Sequence, residues 1–252
     1  MLVEAKDIGD GVRILTMNRP PANAISREFN EAMYDQCCEA SENKAVRAVV
    51  VTGIGKFFSG GLDIKAQAEG TNQVGVLGSE DRDGLFALWT IPKPTIAMVN
   101  GHAIAGGLII ALACDFRVVS RGTHKFGANE VAIGLPLPLA PVEIARVALG
   151  TERLRAALLE AELCGAERAC ELGYFDEIVA PEHLEARCIE RARKLARLGQ
   201  AAYAEVKRLI QYQAVERCRA ATAKEMKAWD QIAQSAESIA LLGKQVRSIS
   251  KK

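Results

Sequence analysis

Several things this sequence lacks narrow what it can be. Charge of one sign is missing: 32 Lys and Arg against 31 Asp and Glu leave a formal net charge of +1. No long-range field gathers nucleic acid, and no basic stripe recommends RNA. Histidine is scarce, with only His102, His124 and His183 present. These three share no metal-ligand spacing, so no metal is expected and their roles read as packing or surface hydrogen bonds. The seven cysteines (37, 38, 114, 164, 170, 188 and 218) form neither a CxxC pair nor a disulfide-type spacing. Most sit among aliphatic residues, as small buried hydrophobes do in a reducing, cytoplasmic setting. The apolar run from Leu108 to Ala113 is too short to span a bilayer, and the opening MLVEAKDIGD carries charges where a signal peptide has its apolar segment. A soluble protein is expected, without internal repeats or low-complexity tracts.

What is present suits one large core: 252 residues, 49% hydrophobic and 25% charged. In the first half, β-branched runs alternate with helical stretches. VRILTMN (12–18), VRAVVVTG (46–53), PTIAMVNG (94–101) and FRVVS (116–120) read as strands, and SREFNEAMYDQCCEASEN (26–43) reads as a helix capped by Ser26. This order predicts an α/β core with largely parallel sheet. After Pro181 only helical patterns follow, including a stretch without proline from Gln200 to about Leu242. A helical region with no strands to cover must bury its apolar stripe on the core or on a neighbouring subunit, which points to a homo-oligomer.

Three stretches carry chemistry. In GKFFSGGLDIK (55–65), Ser59, Gly60 and Gly61 let a ligand approach the backbone, and the N–H groups around Leu62 can face an anion or a polarised oxygen. An ordinary glycine turn after a strand fits that segment equally well. In NGHAIAGGLIIALACD (100–115), Gly106 and Gly107 open a helix whose first N–H groups have no internal partner. The glycines would equally serve close packing of that helix on the sheet. In FGANEVAIGLPLPLAPVEIARVAL (126–149), Glu130 is the only acid between Asp115 and Glu143 and stands among apolar residues. A carboxylate in such company has its charged form disfavoured and its pKa raised toward the useful range for proton transfer, although most glutamates are surface residues.

In this order the motifs resemble the crotonase superfamily, the enoyl-CoA hydratases and isomerases, over nearly the whole chain. NRPPANAIS (18–26), FFSGGLDIK (57–65), PKPTIAMVNGHAIAGG (92–107), CDFRV (114–118) and FGANEVAIGL (126–135) carry the resemblance. It implies a spiral of ββα units with largely parallel sheet over residues 1–199 and a C-terminal helical trimerisation region over 200–252. It further implies an acyl-CoA thioester whose carbonyl oxygen is held by the N–H groups of Leu62 and Gly106, with Glu130 as the catalytic acid/base. Coenzyme A, part of the substrate rather than a separate cofactor, would lie against Pro21, Ala22 and Ala24 of the PPANA turn. Lys56, then Gly60, Asp63 and Ile64 of the glycine loop, and Lys244 would complete its contacts. Where relatives often have a basic residue in the turn, this chain has Pro21. The self-association implied is a trimer or hexamer, with no nucleic-acid or membrane partner.

One acid is missing from the hydratase pattern. Hydratases of the family use two glutamates, and the first of those places falls here on Ile109, which cannot carry a proton; the glycine-rich loop after the second is replaced by GLPLPLAP. Isomerases resemble this chain in having an apolar residue at the first place, the phrase NE at the second, and a leucine before the loop Asp. The leading expectation is therefore a Δ3,Δ2-enoyl-CoA isomerase. A hydratase or another crotonase-type reaction is the alternative, and a non-catalytic acyl-CoA-binding protein is the alternative of another class.

Overall fold

The computed structural model describes residues 1–64, 82–220 and 223–250, with side chains described over 1–64, 82–220 and 227–248. Lys65, the last residue of the glycine stretch, lies outside them. Strands β1 (Val3–Asp7), β2 (Val12–Met17), β3 (Ala48–Gly53), β5 (Thr95–Val99), β7 (Phe116–Ser120) and β9 (Glu177–Val179) form a sheet in the order β1-β2-β3-β5-β7-β9. Only the β1–β2 pair is antiparallel. Three short parallel strands, β4 (Phe57–Ser59), β6 (His102–Ile104) and β8 (Phe126–Gly127), make a second sheet in the order β4-β6-β8. Each long strand β3, β5 and β7 runs through a short turn into one of these, so the chain spirals through three ββα units. The sheet is therefore largely parallel, in agreement with the alternation in the sequence.

Both faces of the main sheet are covered, which is why β3 reads as an unbroken apolar run. On one face Val12, Ile14, Val50, Ile96 and Val118 pack against Leu184, Cys188, Ala192 and Ala196 of helix α6 (Leu184–Ala196). On the other, Leu15, Met17, Val49, Val51 and Val99 meet α1 (Arg27–Glu42), α2 (Gly84–Thr90), α3 (Gly106–Leu112) and α4 (Leu139–Leu159) in the main core. Ser26 caps α1 as expected, its hydroxyl accepting from Phe29 N at 3.2 Å. Past α5 (Ala166–Glu171) and α6, the C-terminal region is three helices: α7 (Gln200–Arg219), α8 (Ala223–Ala233) and α9 (Ala236–Ser250). The long stretch without proline is thus interrupted; Ser235 Oγ accepts from Ser238 N at 3.2 Å and caps the start of α9.

Helix α7 is anchored in the core by polar groups. Buried Lys207 ion-pairs with Asp115 at 3.0 Å, and Tyr203 donates to the same carboxylate at 3.0 Å. Ala214, Val215 and Cys218 belong to the main core. No helix among the described residues is long and apolar enough to cross a membrane.

Candidate active site

The three stretches singled out in the sequence leave the same edge of the small sheet. β4, β6 and β8 are parallel neighbours, and their C-terminal ends continue into Gly60–Leu62, Ala105–Gly107 and Ala128–Glu130. Ligands of parallel sheets bind beyond such ends.

The glycine loop and the PPANA turn are laced together. Gly60 N donates to Ala22 O and Ile25 N to Gly61 O, both at 2.8 Å, and Asp63 N donates back to Ile25 O at 3.1 Å. Fully buried Asn23 reaches across with its side-chain amide to Phe57 O at 2.8 Å and Ile54 O at 3.0 Å. Ser59 Oγ donates to Asn23 O at 2.9 Å and accepts from Gly61 N at 3.2 Å. Ile25 bridges Leu62 in parallel register through Leu62's flanking groups. The N–H of Leu62 itself finds no acceptor among the described residues.

Gly106 N, the first amide of α3, is in the same position. The turn before it is strained: Ala105 sits at φ 54°, ψ −129°, a conformation that costs an L-residue of order 1–3 kcal/mol and persists where surroundings dictate it. Gly61, at φ +81°, approaches so closely that a Cβ there would lie 2.9 Å from Gly106 N. A Cβ on Gly106 would lie 3.8 Å from Leu62 N. The two free donors are therefore adjacent. The neighbouring glycine has a different reason to exist, since a Cβ on Gly107 would fall 2.1 Å from Ser59 O. Both readings of the glycine pair hold, one for each residue.

Glu130 opens a short 3-10 turn (Val131–Ile133) and is 9% exposed, not a surface residue. Its Oε2 is buried and has no hydrogen-bond partner. Burial pushes its pKa from the ordinary 4.5 up to about 7, against a smaller lowering by a backbone hydrogen bond. Glu143 shows the contrast: it is still more buried, yet its carboxylate is paired with Arg217 at 2.8 Å and Arg146 at 3.3 Å. A buried acid with cations is structural; Glu130 has none to neutralise it.

The remaining sequence-derived positions fall as follows. Pro21 and Lys56 are exposed, and Ala22, Ala24, Gly60 and Ile64 are half-buried along the laced turn and loop. Asp63 is tied to Arg19, whose guanidinium donates to it at 2.7 Å and to Ala24 O at 3.2 Å. Its carboxylate thus holds the turn against the loop, a role the sequence did not reveal although Arg19 stands in the quoted NRPPANAIS. Lys244 is exposed on α9, a helix that packs on this chain's own Glu130 turn. Ile109 is completely buried in the main core. Asn129, 8% exposed with an unpartnered Oδ1, was passed over in the sequence and is a second orphan oxygen next to Glu130. Among the described residues no group of three His, Cys, Asp or Glu side chains stands where it could hold a metal ion.

A family model described as enoyl-CoA hydratase/isomerase matches residues 7–244. A probable enoyl-CoA hydratase of Mycobacterium avium (strain 104) is 36% identical over 180 residues, covering 68% of this chain and 67% of that protein. An enoyl-CoA hydratase/isomerase structure from Xanthobacter autotrophicus Py2 superposes with a TM-score of 0.82 at 29% identity, covering 98% of this chain and 93% of that one. The human mitochondrial delta3-delta2-enoyl-CoA isomerase shares the fold, with a TM-score of 0.90 over 100% of this chain and 99% of that one at 20% identity. With the ββα spiral and the ordered motifs already in place, the match over nearly the whole length decides the matter: the chain belongs to the enoyl-CoA hydratase/isomerase family.

Proposed function

We propose that the protein shifts the double bond of a 3-enoyl-CoA to the 2-position, with Glu130 as its single acid/base. The thioester oxygen sits between the N–H groups of Leu62 and Gly106. Glu130 takes a proton from C2, the electron pair moves through the C3–C4 double bond onto the thioester oxygen as a dienolate, and the same carboxylic acid returns the proton at C4. Donors aimed at a developing oxyanion each contribute about 3–4 kcal/mol, and a base poised near neutrality suits a proton that leaves and returns. The observation that carries this reading is a lone, unpaired, buried carboxyl with completely buried Ile109 where a second acid would be needed.

The coenzyme is placed along Pro21, Ala22, Ala24, Lys56, Gly60, Asp63 and Ile64, with Lys244 approaching from α9 of the same chain. No separate cofactor is needed. We further place the protein in a trimer or hexamer.

Hydration of a 2-enoyl-CoA is the second reading. It is favoured by the unpartnered Asn129 Oδ1, which offers a water a second buried acceptor beside Glu130. Incubation with 3-enoyl-CoA and 2-enoyl-CoA in separate vessels tests both. Conversion of the first to 2-enoyl-CoA is the expected result; 3-hydroxyacyl-CoA from the second would move the assignment to hydration. Tight binding without either product would make the protein an acyl-CoA binder.

A further inference from the structure

The loop that carries Glu130 has little to hold it. Over VAIGLPLP (131–138), Pro136 and Pro138 have no N–H to donate. Its own hydrogen bonds cluster at the start, where Glu130 O accepts from Ile133 N at 3.0 Å and from Leu135 N at 2.9 Å. No sheet ladder runs through it. What the loop lacks internally is supplied from a hundred residues away. Trp229 Nε1 on α8 donates to Pro136 O at 2.6 Å. Ser238 Oγ on α9, in a residue only 2% exposed, lies 2.5 Å from Gly134 O and 2.7 Å from Ile232 O, and accepts from Ser235 Oγ at 3.0 Å. With one proton to give, the hydroxyl serves the nearer acceptor, Gly134.

The fit leaves no slack at that point. Gly134 has φ +77°, and a Cβ on it would come within 2.9 Å of Ser238 Cα and 3.1 Å of Leu241 Cδ1. Ile133 and Leu135 pack with Leu242, and Ile64, two residues past Leu62, joins the same cluster with Ala233. The α8–α9 pair thus touches both the loop bearing the base and the loop bearing one donor.

We infer that Ser238 and Trp229 are positioning residues: through Gly134 O and Pro136 O they fix the Glu130 loop relative to the Leu62 loop and keep water from the carboxyl. This rests on Glu130 being the base. Neither side chain touches reacting atoms, so each acts through the loop. Only burial and a backbone hydrogen bond set the titration of Glu130, with no charged neighbour contributing, so loosening the cover has a readable consequence.

Trp229→Phe keeps the ring and deletes the Nε1 donor; Ser238→Ala deletes the hydroxyl. Both are to be measured for kcat and KM with 3-enoyl-CoA, for the acidic limb of the pH–rate profile, and for the titration of the Glu130 carboxyl by 13C NMR, which needs no turnover. Misplacing a reacting group by a fraction of an ångström to one ångström costs up to about a hundredfold in rate. The expected result is kcat reduced about tenfold or more in each variant, KM within about threefold of the parent, and both the limb and the NMR midpoint moved down toward ordinary carboxylate values. Folded variants with parental kcat and midpoint would overturn the inference. So would unfolding of both, because the pair would then be a stability element only. Glu130→Gln separates the two levels: activity retained in that variant would remove the catalytic reading itself, whereas its loss beside unaltered Trp229→Phe and Ser238→Ala would remove the positioning role alone.

Discussion

Glu130 shows how much one residue can reveal through its neighbours. The sequence exposed it because no other acid occurs between Asp115 and Glu143, and the structure adds that no cation answers it. Replacing it by Gln should lower turnover by about a hundredfold to ten-thousandfold, as loss of a general base does, while acyl-CoA binding stays within about tenfold because the two N–H donors remain. The same variant should be more stable than the parent at high pH. The folded-state pKa of about 7 lies above the unfolded value near 4.5, so the folded protein holds the proton more tightly. Stability from this group is complete below about pH 4.5, falls between there and about pH 7, and stays low above it. Tighter proton binding in one state is worth about 1.4 kcal/mol for every tenfold in affinity, so ionising the buried carboxyl costs the folded protein about 3 kcal/mol at pH 8. Melting curves of parent and Glu130→Gln should therefore coincide at pH 4 and separate at pH 8 with the variant higher; coincidence at both would mean the carboxyl is not buried as described. For catalysis the sign is opposite, since only the ionised form accepts a proton, and kcat/KM should rise through a limb near pH 7. Asn129, Ser238 and Trp229 were not legible in the same way. An amide, a hydroxyl and an indole carry no pattern of their own, and only the tertiary contacts give them meaning.

At the scale of elements, strands that are long and apolar were readable and the small ones were not. β3 and β7 stand out by composition, whereas β1 has only Val3 buried and β4, β6 and β8 span two or three residues each. Yet those three short strands aim the site, and their C-terminal glycines, not their own residues, were the signal. The glycine pair that opens α3 separates packing from function. Gly107→Ala should fail to fold or melt far below the parent, because its methyl meets the backbone oxygen of Ser59 at 2.1 Å, a contact that packed backbone cannot relieve cheaply. Gly106→Ala should fold, since its tightest neighbour is the flexible Ile25 Cδ1 at 3.1 Å, but lose about tenfold or more in kcat as the methyl crowds the donors. Equal folding and equal activity in the two variants would remove the proposed oxyanion site from this turn. Farther along α3, Ile109→Glu tests the missing acid. All seven residues of this helix are buried, so an unpartnered carboxyl there costs of order a few kcal/mol. A thermal melt should show the loss, and a small gain in 3-hydroxyacyl-CoA from 2-enoyl-CoA is expected in the folded fraction. No gain in a folded, acyl-CoA-binding variant would mean that the GLPLPLAP loop also excludes water.

For the whole molecule, the helical C-terminal region was legible as helix but not as to what its faces meet. Helical periodicity requires an apolar stripe to be covered, and the covering surface is a property of tertiary structure. α7 divides its residues between two neighbours: Lys207, Gln211, Ala214, Val215 and Cys218 are buried, while Val206, Leu209, Ile210 and Tyr212 are each more than half exposed. Cutting the chain at Gly199 would therefore strip the core of residues it needs and of the Lys207–Asp115 pair, so a truncation reports stability before it reports assembly. Point changes on the outer face are the cleaner probe. Four large apolar side chains along one exposed helix form the kind of patch that soluble monomers rarely display without a partner, and the proposed trimer would place it against a second copy. Val206→Asp with Ile210→Asp puts two charges one helical turn apart on that face and leaves the buried side untouched. Burying unpaired charge in an interface is strongly unfavourable, so the double variant should sediment as a smaller species than the parent with the same circular dichroism and a similar melt. A parent that already sediments as a monomer, or a variant whose sedimentation is unchanged, would show that this face is not where the copies meet.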